Sequence, residues 1–132
     1  MEILFIIGRV LFAFLFLGSA FGHFAQREAM TGYAKYKNVP AAGLSVVVTG
    51  IMLLAGGLSI LIGVYPVIGS LLLAAFLIPT AFIMHNFWSE TDAQAKQNTM
   101  ISFNKDLSLG GAALILAYFF ANTSDLPFIL LG

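Results

Sequence analysis

Long apolar runs alternate with short polar ones along this chain, and that alternation predicts its elements. The first run, about 3–22, reads ILFIIGRVLFAFLFLGSAFG and is apolar from Ile3 to Phe21 apart from Arg9. A polar stretch, HFAQREAMTGYAKYKNVP, separates it from the second run, about 44–63. The short connection VYPV then leads to a third run, about 67–87, with Pro66 suited to a first helical turn. The polar stretch WSETDAQAKQNTMISFNK precedes a fourth run, about 104–121, whose first turn reaches back toward Ile101. A helix needs about 20 apolar residues to cross a bilayer. The pattern therefore predicts an all-α protein: one domain over residues 1–132, folded as a four-transmembrane-helix bundle.

Composition points to the same solvent. Of 132 residues, 60% are hydrophobic and only 9% charged, against about 25% charged in a typical soluble domain. Mean hydropathy is +0.97. Six basic and six acidic residues balance, so there is no basic footprint for nucleic acid. The absence of cysteine excludes disulfides, thiolate metal sites and a dithiol relay run by this chain. Two histidines with scattered carboxylates do not supply a closed zinc site, and no metal is expected. The first run has no basic n-region and is too long for a secretory h-region, so it is read as an uncleaved span.

Small residues let helices approach closely in lipid. The candidates are Gly18 and Gly22 in the first run, Gly56 and Gly57 in the second, and Gly110 and Gly111 in the fourth. Gly18-x-x-x-Gly22 is read as packing, and a homo-oligomer is left open. Arg27, Lys35, Lys37, Lys96 and Lys105 all fall in the stretches after the first and third runs. By the positive-inside rule both long loops are cytoplasmic and both termini lie outside. A weak internal repeat, GHFAQRE against MHNFWSE, suggests two related hairpins.

The polar residues within or beside the spans are the candidates for function. Arg9 either snorkels to the surface, with Tyr118, Asp125 or Glu2 as partners, or serves as a buried anchor for an anionic or carbonyl-bearing ligand. His23 ends the first span, His85 lies in the last turn of the third, and Asp106 opens the fourth, where it suits a helix N-terminus. Antiparallel threading brings all three to one membrane face, joined there by Asn86, Trp88, Asn104 and Lys105. Polar residues and tryptophan gather at any membrane interface, and that accounts for each residue singly; Trp88 is read as an anchor. As a facing set, two histidines and a carboxylate suit a quinone headgroup or a proton relay. AQREAMTGYAKYK is read as a short interfacial helix with Tyr33 and Tyr36 on one face, able to cover that pocket. No nucleotide fingerprint or nucleophile elbow is present, so self-contained catalysis is not expected.

Three segments carry a family resemblance: GRVLFAFLFLGSAFGHF, MLLAGGLSILIGVYP and HNFWSETDAQAKQNTMISFNKDLSLGGAALIL. Together they resemble the DoxX family of small bacterial membrane proteins, essentially end to end. Two departures stand out: Lys105-Asp106 replaces a Lys-Asn-type pair, and the second helix lacks the glutamate many relatives place there. The resemblance implies a multi-pass protein of the bacterial inner membrane connected with redox physiology, including oxidative-stress complexes and thiosulfate and quinone chemistry. The expected role is a membrane subunit that binds a quinone-like molecule near His23, His85 and Asp106 and docks an oxidoreductase partner. A scaffold or assembly protein without ligand is the alternative. A small transporter ranks third, since every Asp and Glu lies near a helix end or in a loop.

Overall fold

Backbone N–H and C=O groups in lipid have no water to bond, so each must find a partner within the chain. The computed structural model, covering residues 1–132, meets that demand with helices alone. They are α1 (Glu2–Ala25), α2 (Arg27–Tyr36), α3 (Ala42–Ile62), α4 (Pro66–Met84), a 3-10 turn at Phe87–Ser89, and α5 (Ala93–Asn122). There are no strands; one isolated bridge joins Val64 to Leu131. α1, α3 and the segment Pro66–Ser89 are long and apolar enough to cross a membrane. Three of the four expected spans are therefore met by length and composition, and the fourth is not. The fifth helix is of mixed character.

α5 is the largest correction to the sequence reading. It begins at Ala93, far ahead of the expected start near Ile101, because Asp92 caps it: the Asp92 carboxylate accepts the Ala95 N–H at 2.9 Å. The stretch AQAKQNTMIS, read as loop, is helical. Asp106 accordingly lies about 20 Å along α5, by the rise per residue, and does not cap a helix. At the other connection Pro66 does occupy the first turn of α4, and Arg27–Tyr36 does form the expected short helix.

α1 packs on α3 and α4 on α5, and the two hairpins join through α3 and α4. The shared core includes Phe16, Leu53, Ile60, Leu73 and Leu77. The outside is as apolar as the core, with Leu11, Phe14 and Ile115 exposed, as a lipid-facing surface requires. Close approaches fall at Gly56, where an added Cβ would meet Leu73 at 2.7 Å, and at Gly110, where it would meet Ile78 at 2.8 Å. Gly18, Gly22 and Gly111 face open space. The glycines expected to close the α1 contact do not do so.

Arg9 is 4% exposed and neither snorkels nor pairs with a carboxylate. Its guanidinium donates to four backbone carbonyls: Ile60 at 2.9 Å, Leu61 at 3.2 Å, Pro127 at 3.0 Å and Phe128 at 2.9 Å. The first two belong to the last turn of α3, where the carbonyls lack helical donors and the helix dipole favours a cation. The other two belong to the apolar tail after α5. Gly63 ends α3 in the left-handed region (φ 71°), where a Cβ would meet the Phe128 oxygen at 2.6 Å. The Gly63 carbonyl then accepts the N–H groups of Leu130 and Leu131, and the Tyr65 N–H donates back to Leu131. The tail is thus sewn to the α3–α4 turn. Tyr118 is exposed and takes no part.

Replacing Arg9 by Met leaves several carbonyls without donors, each costing roughly 1–3 kcal/mol when buried. Arg9→Met is expected to lower the detergent unfolding midpoint strongly, and Arg9→Lys to restore only part, since an ammonium offers three donors for four bonds. Deleting residues 123–132 in the Arg9→Met background should then cost much less than in the wild type, as read by a double-mutant cycle.

Candidate functional site

At the opposite end of the bundle from Arg9, helix ends from both hairpins surround a cavity of about 430 Å³. Helical periodicity places its walls. Ser19 and His23 face it from α1 at a spacing of four, and Ser45, Thr49 and Met52 from α3 at spacings of four and three. Phe76, Thr80 and Met84 face it from α4, and Lys105 and Asp106 from α5. Met30, Tyr33 and Ala34 of α2 form its cover. Thr49 lies about 10 Å from the start of α3, so the hollow runs from polar side chains near the helix ends down to an apolar floor at Met52, Ala75 and Phe76. Ala75, Pro79 and Ile83 line it while remaining exposed on the outer face of α4. The cavity therefore borders the lipid-facing surface.

His85 and Asp106 are brought together as a pair, His85 Nε2 lying 3.2 Å from Asp106 Oδ2. Asp106 is buried and His85 partly so. His85 stands just past the end of α4 and not within its last turn. His23 is buried on the facing wall, its ring edge-on to Phe76. Its Nδ1 lies 2.8 Å from the Ser19 carbonyl. A carbonyl only accepts, so Nδ1 carries the proton and, in the neutral ring, Nε2 presents a lone pair. Gly50 makes this position possible, since a Cβ there would meet His23 Cβ at 3.0 Å.

The cover packs on α3 through Ala34, Ala42 and Val46 and is tied down by two further polar contacts. The Tyr33 hydroxyl donates to the Met84 carbonyl at 3.2 Å, and Lys37 donates to Asn86 Oδ1 at 2.5 Å. Lys37, rather than Lys35, also stands over both the Tyr33 and Tyr36 rings. Burial, then the Glu90 carboxylate, then Tyr36 hold the Tyr33 phenol above its ordinary value, so it keeps its proton at neutral pH.

The other sequence candidates lie elsewhere. Asn86 holds the loop by accepting from Lys37 and donating to Ser89 at 3.0 Å. Trp88 is itself exposed and packs with Phe82, Phe87 and Phe103. Asn104 is exposed beside the cavity wall without lining it, and Arg9 sits at the far end. Sequence reasoning passed over Ser19, Ser45, Thr49, Thr80 and the three methionines. The signal available was their helical spacing relative to His23 and to one another.

The His85–Asp106 pair is partly solvated, so its coupling should be about 1 kcal/mol. A cycle of His85→Phe, Asp106→Asn and the double variant, followed by thermal unfolding in detergent, is expected to return a coupling of that size. A null coupling would mean the two side chains do not interact in the membrane.

Comparison with known proteins gives one finding. No curated protein and no solved structure matches the chain. The family model described as DoxX matches residues 4–86, which take in α1 to α4 and end at Asn86, one residue after His85. Its match covers more than half of a chain built of apolar helices, and the chain therefore belongs to the DoxX family of membrane proteins.

Proposed function

We propose that this chain is a multi-pass inner-membrane subunit of a redox system, binding a quinone-like lipid-soluble carrier in the cavity between the two hairpins. The observation that carries the reading is the cavity itself: an apolar floor bordering the lipid-facing surface, and above it His23 opposite the His85–Asp106 pair. Sites of this type are largely apolar, with a few convergent polar groups to orient the ligand. His23 and the His85–Asp106 pair would orient the headgroup, and Phe76 and Met52 would hold the ring or its tail. An oxidoreductase partner would complete the electron transfer. The exposed, polar first third of α5 would supply the surface on which such a partner, or in the scaffold reading a non-redox enzyme, docks.

Gentle purification from native membranes, followed by mass spectrometry of organic extracts and co-purified proteins, tests this. A near-stoichiometric quinone or quinol that is lost in His85→Ala is the expected result. A partner enzyme recovered without small molecule would favour the scaffold.

The proposed topology has α5 as the fourth span, with both long connections cytoplasmic. The chain has no native cysteine, so single cysteines report cleanly. Lys96→Cys should react with membrane-impermeant maleimide only in inverted vesicles, and Asp125→Cys only in intact spheroplasts. Labelling of both from one side would remove α5 as a span.

A further inference from the structure

Most polar hydrogens lining the cavity are already spoken for. The Thr49 hydroxyl donates to the Ser45 carbonyl at 2.7 Å, the Ser45 hydroxyl to Pro40 at 2.9 Å, and the Tyr33 hydroxyl to Met84 at 3.2 Å. His23 spends its Nδ1 proton on Ser19. Each of these groups lines the cavity, and each has lone pairs left to offer but no proton. Pro79, within α4, adds to the imbalance: lacking an N–H, it has nothing to give the Ala75 carbonyl one turn earlier, and both residues line the hollow. The Asp106 carboxylate is an acceptor too, with one oxygen on His85. Of the donors, the Lys105 ammonium lies at the exposed rim, and the Ser19 and Thr80 hydroxyls are the two side-chain O–H groups of the lining that have no acceptor assigned, against six acceptors.

We infer that the cavity takes its ligand as a hydrogen-bond donor: an apolar phenol or hydroquinone, bound in preference to the corresponding quinone. The inference rests on the reading of the cavity as a carrier site and specifies the redox form it holds. A quinone brings two carbonyl acceptors to a wall made mostly of acceptors, and loses its water without replacement. A hydroquinone of the same shape brings two O–H groups. The His23 Nε2 lone pair is the acceptor best placed for one of them, because its tautomer is fixed from behind by Ser19 and its ring is held by Phe76. Thr49, deeper on the facing helix, offers a second.

The test uses the full chain in lipid nanodiscs free of native quinone, with equilibrium dialysis corrected against empty nanodiscs. Three probes share one ring: trimethylhydroquinone kept reduced under argon, trimethylbenzoquinone, and the hydroquinone dimethyl ether, which has the same oxygens without their protons. The expected result is binding of the hydroquinone about tenfold or more tighter than either other probe, the scale of one well-made hydrogen bond. His23→Phe should bring the hydroquinone down toward the ether while leaving the ether unchanged. Thr49→Val, nearly isosteric, should do the same in smaller measure, and it keeps the test decisive if His23→Phe does not fold. Equal binding of hydroquinone and quinone would overturn the donor preference and leave the carrier site standing. Binding of none of the three above empty nanodiscs would overturn both.

Discussion

One guanidinium closes the far end of this molecule. Arg9 gathers the last carbonyls of α3 and the carbonyls of the tail into a single set of four hydrogen bonds. In lipid those carbonyls have no other donor, and the charge has no other solvation. Each problem answers the other. With α3 ended and the tail sewn to Gly63, the α3–α4 turn is fixed, and the apolar contact of α3 with α4 along the core carries that junction toward the other end. The cavity there takes its walls from both hairpins.

The two ends therefore use polar residues differently. Around Arg9 the guanidinium and its four carbonyls satisfy one another. At the His23 end most of the protons are consumed while lone pairs remain beside a hollow. Such an asymmetry distinguishes a structural polar cluster from a binding site more clearly than residue type does. Arg9 looked like a ligand anchor because an intramembrane charge is expensive, yet its cost is offset locally. His23 is a weaker signal in isolation, but it keeps an unspent nitrogen next to empty space.

The surroundings of the cavity bear on how a ligand would reach it. α2 covers it through an apolar cluster, Ala34 against Ala42 and Val46 with Met30 and Met84 beside them, and through two polar contacts, Tyr33 to Met84 and Lys37 to Asn86. On the α4 side the stripe Ala75, Pro79 and Ile83 faces both lipid and cavity. A lipid-soluble molecule approaching from the bilayer would meet that stripe first.

Apolar runs of the right length determined, from sequence alone, that the chain is helical and built for lipid, because length and hydropathy are properties of a segment by itself. The same logic located Pro66 at a helix start and α2 as a short helix, and threading direction placed His23, His85 and Asp106 at one end. Tertiary structure decided the rest. The start of α5 turned on one Asp92 cap. The glycines that matter, Gly50 and Gly56 rather than Gly18 and Gly22, are those that happen to face another helix. Arg9 found carbonyls 51 to 119 residues away, and backbone carbonyls are the same at every position, so no residue pattern could mark those four. The acceptor-rich cavity was hidden for a related reason: a hydroxyl in sequence is both donor and acceptor, and only its partner in space decides which capacity is left.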